Sequence, residues 1–168
     1  MSGDEIFEIV DDHGFVVGCA PRRLCHDDPS LIHRCSHVVV YHPDGRILLQ
    51  KRSSSKDIQP GKWDTAVGGH LQPGEDFESA ALREMTEELG IPDTLPLRHI
   101  CDTKIRNERE SENVRVFSAV HPGPFSFPPE EIDEVRFWTK AELRAAVETA
   151  DPSFTPNLRA ELKILLNI

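Results

Sequence analysis

Hydrophobic and polar positions along the chain alternate in short runs, which is the pattern of β-strands with one buried face. Turn-forming residues separate the first runs; Pro43, Asp44 and Gly45 lie between two of them and are typical of a hairpin turn. The pattern predicts strands over residues 6–10, 15–19, 37–41, 47–50, 63–67, 98–105, 114–120 and 134–138. We therefore expect a sheet built largely from hairpins.

Apolar residues at helical spacing predict three α-helices, over residues 76–89, 140–149 and 157–166. The first has acidic residues in its first turn and Gly90 where a left-handed cap would end it. Because helices do not alternate strictly with strands, we expect an α/β (α+β) fold, a mixed sheet flanked by helices. The length of 168 residues and the lack of a repeat or linker predict a single domain over residues 1–168.

The charge of the chain limits its partners. The sequence has 19 Lys and Arg against 29 Asp and Glu, a net charge of −10, which disfavours binding to duplex nucleic acid through its phosphates. A small phosphorylated ligand is still compatible with this negative charge, because a divalent cation can bridge acidic side chains and phosphate oxygens. The C-terminal helix is expected to pack in the core or to form a homodimer contact.

The sequence also indicates where the protein works. The N-terminus lacks a signal-peptide pattern and no segment is long and apolar enough to cross a bilayer, so we expect a cytoplasmic protein without a membrane partner. Its four cysteines show no CxxC spacing and are expected to be reduced thiols in or near the core: Cys19, Cys25, Cys35 and Cys101.

The first predicted helix carries an acidic face. At about 100° per residue, Glu84, Glu87 and Glu88 share one third of its circumference, and its apolar face is formed by Leu82, Met85 and Leu89. Like charges at this spacing cost about a few tenths of a kcal/mol each, and hard divalent cations prefer such carboxylate oxygens. We expect Gly68 and Gly69 to make a tight turn that brings a backbone carbonyl beside these carboxylates. The alternative is a solvated acidic face.

The spacing of the whole segment resembles the signature of the Nudix hydrolases. The matching positions are Gly69, Glu75, Arg83, Glu84, Glu87, Glu88 and Gly90. Met85 stands where the signature usually has Ile, Leu or Val, and it keeps the position apolar. The resemblance implies an α/β/α Nudix sandwich and the hydrolysis of a phosphoanhydride bond in a small organic diphosphate, such as a nucleoside diphosphate derivative. It implies Mg²⁺ or Mn²⁺ as cofactor.

The resemblance also implies roles for individual residues. It implies that the metal ligands are Glu84, Glu87, Glu88 and the carbonyl of Gly68. Arg83 and Glu75 are implied to pair across the loop and the helix, while Gly69 and Gly90 complete the structural motif. Glu84 and Glu87 are the implied catalytic residues. The general base could be Glu84 or a later residue, namely Glu130, Glu131 or Glu134.

A closer resemblance, to the isopentenyl-diphosphate-isomerase-like branch of this superfamily, runs from about residue 5 to residue 138. It is carried by residues 49–53, Lys56, residues 60–64 and residues 68–70. The resemblance implies a second metal site formed by His26, His33, His70, Glu110 and Glu112. The alternative is that residues 108–112 are a charged loop. Arg52 and Lys56 are candidates for binding substrate phosphates.

One position separates the two activities. The isomerases have their catalytic cysteine where this chain has Gly68, and glycine has no side chain to replace it. The hydrolase carboxylates, in contrast, are complete, so hydrolysis is favoured. An isomerase-like enzyme, a nucleotide-binding sensor without turnover and an interaction module stay open as alternatives.

Overall fold

The computed structural model describes residues 5–168 and contains one nine-stranded mixed sheet. The strands are β1 (Ile6–Val10), β2 (Val16–Pro21), β3 (Ile32–Tyr41), β4 (Ile47–Arg52), β5 (Trp63–Thr65), β6 (Val67–His70), β7 (Arg98–Arg106), β8 (Ser111–Val120) and β9 (Ile132–Trp138). The helices are α1 (Arg22–Cys25), α2 (Phe77–Leu89), α3 (Lys140–Glu148) and α4 (Pro156–Leu165).

Strand β3 organises the sheet. It pairs in parallel with β8 from Ile32 to Tyr41, and antiparallel with β6 over residues 35–38. The predicted hairpins β1–β2 and β3–β4 are present. Because β3 has neighbours along its whole length, it brings residues from β6 and β8, which are distant in sequence, to the same place.

Helices cover both faces of the sheet, which confirms the predicted mixed sheet with flanking helices. On one face, Met85 and Leu89 of α2 are fully buried against a cluster that includes Val38 of β3. On the other face, Leu143 of α3 and Leu158 of α4 pack into a second cluster. Burying one such side chain contributes about 1.5–3 kcal/mol, so the two clusters fix the helices on the sheet.

Helix α2 begins and ends as the sequence predicts. Asp76 caps its N-terminus and accepts a hydrogen bond from the Ser79 N–H at 2.7 Å. At its C-terminus, Gly90 has a left-handed φ of 68° and donates from its N–H to the Thr86 carbonyl. These two caps set the length and position of the helix that carries the acidic face.

The predicted glycine turn was wrong. Gly68 and Gly69 lie in β6, an extended strand paired with β3, and the predicted strand over residues 63–67 is divided at Ala66. The hydrogen bonds to β3 hold the two glycines extended. Strand β3 also begins five residues earlier than predicted, at Ile32, because its first residues include buried polar ones, His33 and Ser36, which do not follow the expected pattern of apolar inside and polar outside.

The short helix α1 was not predicted; it has no side-chain cap and only four residues. All four cysteines are free thiols, but Cys19 is exposed because β2 is the outermost strand of its sheet path, so the expected core position was wrong for it. Within residues 5–168, no helix combines the length and the apolarity that crossing a membrane requires.

Candidate active site and metal centres

Two half-buried carboxylates of α2 lie against strand β6. Glu84 and Glu88 are one helical turn apart and face the two glycines of the strand. Burial raises the pKa of both carboxyls, and their mutual repulsion adds to the rise at Glu88, whose pKa is about 8. The charged forms are therefore disfavoured, and a cation between the carboxylates would remove that cost.

Glu88 is held by two donors. The Gly68 N–H donates to its Oε2 at 3.1 Å, and the Gln50 side-chain amide donates to its Oε1 at 3.2 Å. The N–H and C=O of one strand residue leave on the same edge, so the Gly68 carbonyl faces the edge that Glu88 occupies. Carboxylate and carbonyl oxygens thus converge here, as a hard divalent cation requires.

Gly69 leaves room for the other carboxylate. A Cβ placed on Gly69 would lie 2.5 Å from Glu84 Oε1 and closer still to its Cγ and Cδ. No side chain can occupy this position while Glu84 stays in place. Gly69 is therefore required because a side chain there would displace Glu84. It does not form the turn that the sequence predicted.

Arg83 ties the loop after β6 to the helix. Its guanidinium donates to both carboxylate oxygens of Glu75, at 2.8 and 2.9 Å, and to the His70 carbonyl at 3.0 Å. It also donates to Glu84 at 2.8 Å and approaches Glu87 at 3.3 Å. These acidic partners raise the pKa of Arg83 further, so the guanidinium stays charged and orients Glu84.

Five other residues converge in a second cluster. The sheet register brings most of them together: His33 of β3 lies opposite Glu112 of β8, and His70 of β6 is paired with a residue of β3. His26 follows α1 and lies 3.4 Å from Glu110, which precedes β8. His33 and His70 approach the same Glu112 oxygen at 3.5 and 3.3 Å.

The cluster has the properties of a metal centre. Within the described chain, its ligand atoms form two triads, each spanning no more than 4.8 Å. The buried atoms His26 Nε2, His33 Nδ1, His33 Nε2 and Glu112 Oε2 have no hydrogen-bond partner in the described structure. Burial lowers the pKa of His26 to about 4, whereas at Glu112 the nearby His33 and His70 rings outweigh burial and lower the pKa of the carboxyl. A neutral His26 imidazole and an ionised Glu112 carboxylate suit a metal ion.

The chain is similar to known proteins over most of its length. The model of the NUDIX domain family matches residues 31–158. The chain belongs to the Nudix family. An uncharacterized Nudix hydrolase of Yersinia pestis is 37% identical over 164 residues, which cover 96% of this chain and 86% of the relative. An isopentenyl-diphosphate Delta-isomerase of Nocardia farcinica is 33% identical over 166 residues, 94% of this chain and 92% of the relative.

A solved structure has the same fold. The crystal structure of a Deinococcus radiodurans protein matches with a TM-score of 0.80 and 25% identity, covering 95% of this chain and 98% of the other. The predicted Nudix enzyme and its α+β fold are therefore confirmed. Enzymes of the Nudix family act on small phosphorylated substrates and generally use divalent metals.

The remaining acidic candidates of this Nudix chain are less enclosed. The Glu87 side chain is 59% exposed and lies at the rim, next to Arg83. Glu130, Glu131 and Glu134 are all exposed. Of the four candidates for the general base, Glu84 is the one on α2 beside Glu88.

The two predicted phosphate ligands have internal partners. Arg52 donates from Nε to the Ile58 carbonyl at 3.1 Å and lies 3.5 Å from Asp64. Lys56 forms an ion pair with Glu131. Each side chain must break its contact within the protein before it can bind a substrate phosphate. We therefore expect each to contribute less to the affinity for substrate.

Two features near the site were not predicted from the sequence: Gln50 and an ion pair between His37 and Glu161. Gln50 contacts Glu88 from β4, and the ion pair lies beside Gly68. A signal for the pair was present: Glu161 stands among Leu158 and Leu162 on the apolar face of the last helix, where a charged residue requires a partner.

Proposed function

We propose that this chain is a divalent-metal-dependent Nudix hydrolase that cleaves a phosphoanhydride bond of a small organic diphosphate, a nucleoside diphosphate derivative. The observation that carries the proposal is the pair of half-buried carboxylates, Glu84 and Glu88, which pack against the two glycines of β6. Their raised pKa values support the proposal, because burial and mutual repulsion disfavour two negative charges without a counter-charge.

The residues of this first centre fit Mg²⁺ or Mn²⁺, because all the donors are oxygens. Glu84, Glu87, Glu88 and the Gly68 carbonyl would hold the ion. A bound ion would supply positive charge that neutralises the diphosphate and lowers the pKa of a nearby water.

The side chains around the first centre orient and deprotonate the attacking water. Arg83, fixed by Glu75, sets the direction of the Glu84 carboxylate. Glu84 then accepts a proton from the water that attacks phosphorus. Gln50 and the Gly68 N–H keep Glu88 in one orientation, so that both carboxylates are preorganised.

The proposed hydrolysis can be tested with the purified protein. We expect phosphate or nucleoside monophosphate release from at least one member of a panel of nucleoside di- and triphosphates, sugar nucleotides and dinucleotides with Mg²⁺ or Mn²⁺. Chelation should lower the rate at least about 10²-fold, and added metal should restore it. Turnover that persists in the chelator would argue against the metal requirement, and no release from the whole panel would contradict hydrolysis.

We propose that the second cluster holds a separate divalent ion, since imidazole ligands favour a transition metal such as Mn²⁺ over Mg²⁺. In calorimetric titration of metal-free protein with Mn²⁺, we expect two equivalents to bind. Glu112→Gln and Glu88→Gln should each reduce this to one. The control His42→Gln, which changes a histidine paired with Asp44 outside both centres, should leave two. A stoichiometry of two in Glu112→Gln would exclude the second centre.

The relatives named isopentenyl-diphosphate Delta-isomerase, together with the five-residue cluster, favour isomerisation as a second candidate function. Against it, Gly68 offers no side chain to move a proton. Including isopentenyl diphosphate in the panel distinguishes the two. Rearrangement without release of phosphate would support the isomerase, and release would support the hydrolase.

A further inference from the structure

Strand β2 is an edge of the sheet that carries no charge. It pairs with β1 on one side, and within residues 5–168 no strand pairs with its other side. Every residue from Phe15 to Pro21 is uncharged, and the Phe15 and Val17 side chains are 70% and 64% exposed. An edge of this kind leaves backbone N–H and C=O groups available to another strand.

Another edge of the same sheet is protected by charge. Among the described strands, β7 pairs with β8 alone, and it carries Arg98, Asp102, Lys104 and Arg106. Charged side chains on an edge strand oppose pairing with a further strand, because pairing would remove water from them. Strand β2 lacks this protection although the chain as a whole is rich in charge.

The two ends of β2 carry opposite charges. The turn before the strand contains Asp11 and Asp12, and the helix after it begins with Arg22 and Arg23. Asp11 accepts hydrogen bonds within its own turn, and Arg22 pairs with Glu5. Asp12 and Arg23 are exposed, so one acidic and one basic side chain flank the uncharged edge.

We propose that β2 pairs antiparallel with β2 of a second copy of this chain, about a two-fold axis near Val17 and Gly18. Antiparallel pairing of identical strands brings the start of one strand beside the end of the other. Asp12 of each copy then lies near Arg23 of the partner subunit, and the two exposed valine strands cover each other. A strand of an unrelated protein could pair with the same edge, but only a copy of this chain brings the matching charge to both ends.

The size of the interface sets the expected affinity. One short strand and its flanks from each copy bury an area at the small end of the range for specific complexes, about 1,200 Å² or less. We therefore expect dimers that dissociate in the micromolar range. The last helix, α4, packs Leu158 and Leu162 in the core of its own chain, which leaves β2 as the better surface for a second copy.

Sedimentation velocity over a concentration series tests the proposal. It would compare wild type, Val17→Lys and the control Ile164→Lys, which adds the same charge at a 52% exposed apolar position on α4. Wild type and the control should form dimers with the same Kd. Val17→Lys should raise the Kd at least about 10-fold, because the two lysines would face each other near the axis.

Reversal of the end charges tests the antiparallel arrangement. Asp12→Lys and Arg23→Glu should each raise the dimer Kd about 3- to 10-fold, and the double variant should return it close to the wild-type value. Melting temperatures at low protein concentration should stay unchanged, since both side chains are exposed. The proposal is overturned by a wild type that stays monomeric, by species larger than a dimer, by a dimer that Ile164→Lys disrupts and Val17→Lys does not, or by a double variant without restoration. None of these outcomes depends on the proposed hydrolysis.

Discussion

Replacing Glu88 with glutamine is expected to lower kcat at least about 10²-fold, the lower range for loss of a catalytic group. The amide keeps the shape of the side chain, and its oxygen can still accept a hydrogen bond from the Gly68 N–H. It cannot supply the negative charge that the proposed cation requires. Because the hydrogen bond from Gln50 is lost while a half-buried carboxylate becomes neutral, the melting temperature of the metal-free protein should change little.

A matched control lies on the same helix. Glu78→Gln removes an exposed carboxylate from the first turn of α2, away from both glycines. Its kcat should stay within about twofold of wild type, as for surface substitutions generally. Steady-state kinetics over a range of Mg²⁺ concentrations measures both variants. Equal activity of Glu88→Gln and Glu78→Gln would remove Glu88 from the proposed mechanism.

Replacing Gly69 with alanine is expected to lower kcat by a similar factor, at least about 10²-fold, through displacement of a carboxylate. The added methyl group overlaps the side chain of Glu84. That side chain can rotate away, so the protein should fold with a small loss of melting temperature. The rotation moves Glu84 out of reach of Arg83 and of the site.

The control for the added methyl group is Gly18→Ala. Gly18 lies in the exposed strand β2, and a Cβ there would meet nothing within 4 Å. Activity and thermal unfolding of the two alanine variants should be compared under the same conditions. Wild-type turnover in Gly69→Ala would mean that the position of Glu84 does not matter for the reaction.

Local patterns were sufficient for much of the fold. The helix that carries the acidic face was predicted within one residue at its start, because apolar periodicity, an N-cap and a C-terminal glycine are all encoded within one segment. The same spacing placed Glu84 and Glu88 on one face before any tertiary contact was known.

Other features depend on contacts between distant segments. The two glycines of β6 were read as a turn because glycine favours turns, whereas pairing with β3 holds them extended. The partners of Arg52 and Lys56 could not be predicted either, since Asp64 and Glu131 come from other strands and loops. The conformational preference of a single residue predicts its backbone conformation poorly where a neighbouring strand supplies the hydrogen bonds.

The sequence alone determined the acidic helix face, the Nudix family and the mixed sheet with its helices, because these follow from spacings within short segments. The resemblance already implied that His33 and Glu112 share a site, whereas the tertiary structure alone decided their register and the contact of His37 with Gly68; these pairs stand 79 and 31 residues apart. The physical reason is strand register: shifting β3 by one residue would turn each of these side chains to the opposite face of the sheet. A site formed by such pairs therefore exists only in the folded sheet.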